Sequence, residues 1–95
     1  LNKTYLDTYA WVLFMQGNYT MAKFYIDRVV PPTQTDSSLV ADAGLHAEVL
    51  EHAGDIYALC DDLEQAQRYW SLAQQKGSGS ALLTKKLKQK KYLKD

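Results

Sequence analysis

Cysteine is almost missing from this chain. Cys60 stands alone among 95 residues, which excludes an internal disulfide framework and any zinc site built on clustered cysteines. Proline occurs only at Pro31-Pro32, and net charge is absent, with 11 Lys and Arg against 11 Asp and Glu. With 46% hydrophobic and 23% charged residues, that balance is globular and excludes an acidic or basic disordered chain. The longest unbroken apolar run, Tyr9 to Met15, has seven residues, whereas a spanning helix needs about 20. The chain lacks a basic stretch followed by a long apolar one, and it does not begin with Met. No signal peptide is expected, and the chain reads as cut from a longer product. No segment alternates as a strand does.

What is present is helical periodicity. Tyr5 to Gln16 places Leu6, Tyr9, Ala10 and Leu13 on one face, and Gly17-Asn18 stops it. Tyr19 to Val30 carries a stripe of Ala22, Tyr25, Ile26, Val29 and Val30, ended by Pro31-Pro32, because proline lacks an N–H and disfavours helical geometry before it. Thr33 to Ser38 is a polar connector in which Asp36 is placed to cap the next helix. That helix is expected from about Leu39 to Cys60, with Leu50, Ala53, Gly54 and Tyr57 on its packing face. Asp61-Asp62 punctuates. Leu63 to Lys76 carries Ala66, Tyr69, Trp70 and Ala73, and Gly77-Ser78-Gly79-Ser80 closes it. Ser80 then caps a last helix, Ala81 to about Lys94. The expectation is one all-α domain over residues 1–95, with five helices.

Zero net charge hides a split. Residues 1–80 hold five Lys and Arg against ten Asp and Glu; residues 81–95 hold six Lys against one Asp. The body is therefore −5 and the tail +5, the pattern of an interaction tail or of a tail that answers its own body.

The two helix pairs repeat. A shift of 44 residues lays Leu6 on Leu50, Ala10 on Gly54, Leu13 on Tyr57, Ala22 on Ala66, Ile26 on Trp70 and Val29 on Ala73. Paired helices recurring at a fixed period mark a helical solenoid. The second copy reads Leu50-x2-Ala53-Gly54-x2-Tyr57, then Ala66-x3-Trp70-x2-Ala73. It resembles the tetratricopeptide repeat family, whose pattern is W-x2-L-G-x2-Y followed by A-x3-F. The first copy, Leu6-x2-Tyr9-Ala10-x2-Leu13 then Ala22-x3-Ile26-x2-Val29, is a weaker match that lacks the family's Trp, Gly and Tyr. The strings at 5–11 and 51–55 are similar to those of bacterial members. The family period is about 34 residues, so the extra ten fall in a longer connector, about 31–45. The resemblance implies a tetratricopeptide-like αα-superhelix: repeat one at about 4–37, repeat two at about 46–79, and a capping helix at about 80–94.

The resemblance also implies a concave groove lined by the first helix of each pair, with Asp7, Trp11, Phe14, Glu48, Glu51 and Asp55 along it. An acidic groove with Trp11 and Phe14 as apolar anchors suits a basic or apolar peptide. The opposing reading leaves the carboxylates as a solvated helix face and Trp11 as core. In the tail, Leu82, Leu83, Leu87 and Leu93 form a broken apolar stripe opposite Lys85, Lys88 and Lys91. Three roles compete for it: a cap with a polar outer surface, a basic patch for nucleic acid or an anionic membrane, and docking into the groove. The absence of Arg or aromatic interleaving argues against nucleic acid and membrane. Helix one is apolar nearly all round, with Trp11, Val12, Phe14 and Met15 beside its core stripe. It therefore wants cover from an N-terminal neighbour or a second copy.

Glu48 and His52 share a helix face at i,i+4, but a zinc site needs three or four converging ligands, so no metal is expected. There is no Gly-x-Ser-x-Gly, and no Gly-Lys-Ser/Thr follows the glycine-serine stretch to make a phosphate loop. No enzyme activity and no cofactor are expected. The reading is a protein–protein interaction module, a scaffold or adaptor that binds a protein or peptide segment in its groove. The alternative is a structural end-cap and oligomerisation module without a separate ligand. The sequence does not choose between the bacterial cytoplasm and the periplasm.

Overall fold

The computed structural model describes residues 2–77 and 80–94. Six α-helices and no strand lie among them: α1 (Lys3–Met15), α2 (Tyr19–Ile26), α3 (Asp36–Ala41), α4 (Ala47–Leu59), α5 (Leu63–Gln75) and α6 (Leu83–Gln89). The closest pairings are α4 with α5 and α1 with α2. These are two helical hairpins, joined where α4 meets α2 and α1.

The 44-residue shift holds in the backbone as well as in the letters. Asn18 N donates to Leu13 O at 2.9 Å, and Asp62 N donates to Tyr57 O at 3.0 Å. Ala22 N bonds Asn18 O, and Ala66 N bonds Asp62 O, both at 3.0 Å. At the turn, Gly17 takes a φ of 81° and Asp61 a φ of 61°, the left-handed conformation that ends a helix. All six residue pairs named above are buried. Small residues mark the close crossings. A Cβ on Gly54 would lie 2.3 Å from Trp70 Cδ1, so the indole fills the space that a side chain at 54 would take.

Several expectations change. Helix two ends at Ile26, not Val30. Val29 N and Val30 N both turn back to Ile26 O, a tight last turn that carries the chain into Pro31. The expected Leu39–Cys60 helix is two helices. Asp42 is extended (ψ 101°), and its carboxylate accepts from Gly44 N at 3.0 Å, a side-chain turn that competes with the helix. Thr35, not Asp36, caps α3: Thr35 Oγ1 accepts from Ser38 N at 3.2 Å. Asp36 instead meets Arg68 Nε at 2.6 Å.

The longer connector is thus a small helix laid across α5. Arg68 holds it by donating to Gln34 O (2.5 Å) and Pro32 O (3.3 Å) as well as to Asp36. Tyr69 Oη donates to Val30 O at 2.7 Å, and Lys76 Nζ to Asp42 O at 2.7 Å. Leu39 and Leu45 enter the core. Tyr57 Oη donates to Asp27 Oδ1 at 2.5 Å and ties the second hairpin to the first. The last helix is shorter than expected, because Lys90 turns left-handed (φ 57°) and ends it. Ser80 Oγ accepts from Leu82 N at 3.2 Å, but Leu82 stands at the cap position of α6. Of the glycine-serine closure, Gly77 has a φ of 86°, and Ser78 and Gly79 lie outside the described residues.

Candidate functional site: a cleft crossed by the C-terminal helix

α1 and α4 run side by side with their inner faces toward α6 and the tail that follows it. Between them lies a cleft of about 460 Å³, lined by Trp11, Met15, Glu48, Glu51, His52, Asp55, Ser80, Lys86, Tyr92, Leu93 and Lys94. Four of the six residues expected along a groove border it: Trp11, Glu48, Glu51 and Asp55.

The wall is aromatic. Trp11 stacks on the His52 ring at 4.0 Å and on Phe14 at 4.6 Å. Asp7 lies behind this stack, with Oδ1 3.1 Å from His52 Nδ1, which fixes the imidazole plane. Glu48 Oε1 is 3.8 Å from His52 Nε2, and its side chain is exposed. Phe14 is not the open anchor that the resemblance implied. It is buried between Trp11, Tyr19 and Tyr92, because the tail after α6 brings the Tyr92 ring edge-on against it at 5.1 Å.

The floor is ionic and closed. Glu51 and Asp55, one helical turn apart on α4, face Lys86 of α6. Lys86 Nζ lies 2.7 Å from Glu51 Oε2 and 2.9 Å from Asp55 Oδ1. These three side chains are 3–6% exposed. Ser80 donates from its backbone N (2.8 Å) and its Oγ (2.6 Å) to the two Glu51 oxygens. Trp70 Nε1 donates to Asp55 Oδ1 at 3.1 Å. Among the described residues, no buried side-chain nitrogen or oxygen lacks a partner. Burial pushes the Asp55 carboxyl up to about 6, against the pull of Lys86 and Trp70. Burial acts the same way on Glu51, but the Lys86 and Ser80 bonds outweigh it and hold that carboxyl below its ordinary range. For Lys86, burial works against the ammonium, and the two carboxylates overcome it and raise its affinity for the proton.

So Glu51 and Asp55 are neither a solvated face nor free to select a ligand: the chain's own tail occupies them. Lys85 and Lys88 of α6 and Lys91 after it are exposed. The residue that matters, Lys86, was missed because the reading sought charges opposite the leucine stripe. Its signal was in the sequence: Leu83, Lys86 and Leu87 stand at i, i+3 and i+4 and share one face.

Among the described residues, no three His, Cys, Asp or Glu converge to hold an ion. Cys60 is half-buried, with Sγ 3.5 Å from Tyr19 O. Burial raises its thiol pKa, the opposite of what a nucleophile needs. No helix among the described residues is long and apolar enough to cross a membrane.

No family model, no curated protein and no solved structure matches this chain.

Proposed function

We propose that the chain is a protein–protein interaction module that receives a segment of a partner in the cleft between α1 and α4. The observation that carries this reading is the wall of the cleft: a half-buried tryptophan stacked on a positioned histidine, beside Met15 and the exposed Glu48. Stacked aromatics at a concave surface offer apolar contact at low entropic cost. The tetratricopeptide-like repeat supports it further, since paired helices at a fixed period make rigid concave surfaces. The reading is binding, and it includes no enzyme activity and no cofactor. Panning a displayed peptide library against the chain tests it. Ligands that bind the native chain and lose at least about tenfold on Trp11→Ala, about 1.4 kcal/mol, support the cleft. Ligands indifferent to Trp11 overturn it.

The second reading, an end-cap and oligomerisation module, rests on another surface. Tyr5, Tyr9 and Val12 of α1 are 72%, 49% and 46% exposed, and Phe24 of α2 is 56% exposed. The 44-residue shift lays Tyr5, Tyr9 and Val12 on Val49, Ala53 and Ile56. Ala53 and Ile56 are fully buried on the helix that meets the first hairpin. The open stripe is therefore the counterpart of one that packs inside. Light scattering from micromolar to near-millimolar concentration decides. A mass above 10.8 kDa that Val12→Glu returns to monomer supports this reading, and a constant monomer mass sinks it.

A further inference from the structure

We propose that α6 is an internal competitor, and that the partner it holds off is a helix presenting one lysine between leucines at the spacing of Leu83, Lys86 and Leu87. This rests on the reading of the cleft as a binding site.

Three observations carry it. First, Glu51 and Asp55 are buried with a single cation. An uncompensated buried carboxylate is costly, so a helix that takes the place of α6 and covers the two again must bring a cation where Lys86 stood. The floor therefore selects what can displace the tail, and it selects positive charge. A compact ammonium suits the spot, because three carboxylate oxygens meet Nζ within 3.1 Å, a point-charge arrangement more than a planar fork. Second, α6 is a weak occupant. It has seven residues, no side-chain cap at its start and a left-handed residue at its end, and helices this short are not stable alone. Third, α6 fills only part of the cleft. Of α6 itself only Lys86 lines it, beside Trp11 and Met15 of α1 and Tyr92, Leu93 and Lys94 after α6, so a longer helix that displaces the whole tail meets Trp11 and Met15 as well. The −5 body also favours the approach of any basic segment.

The test uses the full chain, ¹⁵N-labelled, and a synthetic peptide with the sequence of residues 80–94 as the basic helix. Saturating peptide is expected to move the backbone amide signals of Leu83 to Leu87 away from their docked positions. The same peptide carrying Lys86→Glu should leave them in place. The full-length Lys86→Met variant, whose tail is a poorer competitor, should take up the native peptide at least about tenfold more tightly, since affinity rises with the fraction of open cleft. If that variant does not fold, the titration of the native chain decides alone. Amide signals that stay put at about millimolar peptide, weaker than any useful competitor, overturn the proposal. So does equal displacement by the Lys86→Glu peptide. A dimer that Lys86→Met abolishes would assign the cleft to the tail of a second copy and overturn the foreign helix. Displayed peptides that depend on Trp11 while α6 stays docked would leave the cleft reading standing and remove this one alone.

Discussion

The two hairpins share a backbone plan and differ in how they treat their surfaces. In α4–α5 the crossing is Gly54 against Trp70, and the cleft side of α4 carries two carboxylates neutralised by α6. In α1–α2 the same places hold Ala10, Ile26, Asp7 and Trp11, and the outer stripe of Tyr5, Tyr9 and Val12 faces outward. The second hairpin is enclosed by the first on one side and by α6 on the other. The first meets the second hairpin and, at Phe14, the tail's Tyr92, and leaves its Tyr5, Tyr9 and Val12 stripe uncovered. One plan thus yields a closed unit and an open one, and the difference lies in what covers each hairpin.

The largest way to break that comparison is to remove the cover's one charge. Lys86→Met should cost about 3–5 kcal/mol in urea unfolding, because it strands two buried carboxylates. In contrast, Glu48→Gln, at the exposed pair with His52, should cost under about 0.5 kcal/mol. Equal losses would mean that α6 is held by its leucines alone.

Next comes the crossing. Gly54→Ala should lose about 1–3 kcal/mol by overpacking against Trp70. Adding Trp70→Ile, which recreates the Ala10–Ile26 arrangement of the first hairpin, should recover part of that loss. A double variant no better than the sum of its parts would mean that the hairpins do not cross alike.

The ionic floor gives a pH signature confined to the second hairpin. Asp55 titrates near 6 when folded, against 3.8 ordinarily, so between those values the folded state binds more protons than the unfolded one. Its contribution therefore falls as pH rises from about 4 to about 6. Glu51, held low, acts in the other sense: its contribution is present above its ordinary 4.5 and fades as pH falls below it. Lys86, raised above its ordinary 10.5, contributes below that value and loses it as pH climbs past its folded pKa. Thermal melts from pH 4 to 7 should show the Asp55 slope in the native chain and lose it in Asp55→Asn.

The smallest effect sharpens the turns. Gly17→Ala should cost about 1 kcal/mol, and Asp61→Gly should gain about 0.5–1 kcal/mol, because both positions are left-handed and only glycine is free there. Chemical melts of the two variants check the pair.

Much of this was legible residue by residue. The six repeat pairs mark buried positions in the sequence alone, because a hairpin's small and large positions are set by how closely two helices cross. The break at Asp42–Gly44 was written in turn residues but was masked by the apolar pattern on either side, Leu39 and Val40 before it and Leu45, Ala47 and Val49 after it. Of the groove, Asp7 and Trp11 on α1 and Glu48, Glu51 and Asp55 on α4 were grouped by the family resemblance, which puts the first helix of each pair along it. Their accessibility was not legible, since burial of Phe14, Glu51 and Asp55 depends on Ser80, Lys86 and Tyr92, 29 residues or more away in sequence.

What the sequence by itself determined is local and periodic: helices at 3.6-residue spacing, the turns between them, the 44-residue register and the −5/+5 division of charge. Those follow from short-range sterics and from which side chains shun water. Only the tertiary structure decided which charge meets which. Six lysines in the tail look interchangeable on paper, yet one of them, Lys86, lies against Glu51 and Asp55. The face that Lys86 shares with Leu83 and Leu87 is a local pattern, but the carboxylates that this face meets are settled by where α6 rests on α5 and by Tyr92 against Phe14, which is long-range packing.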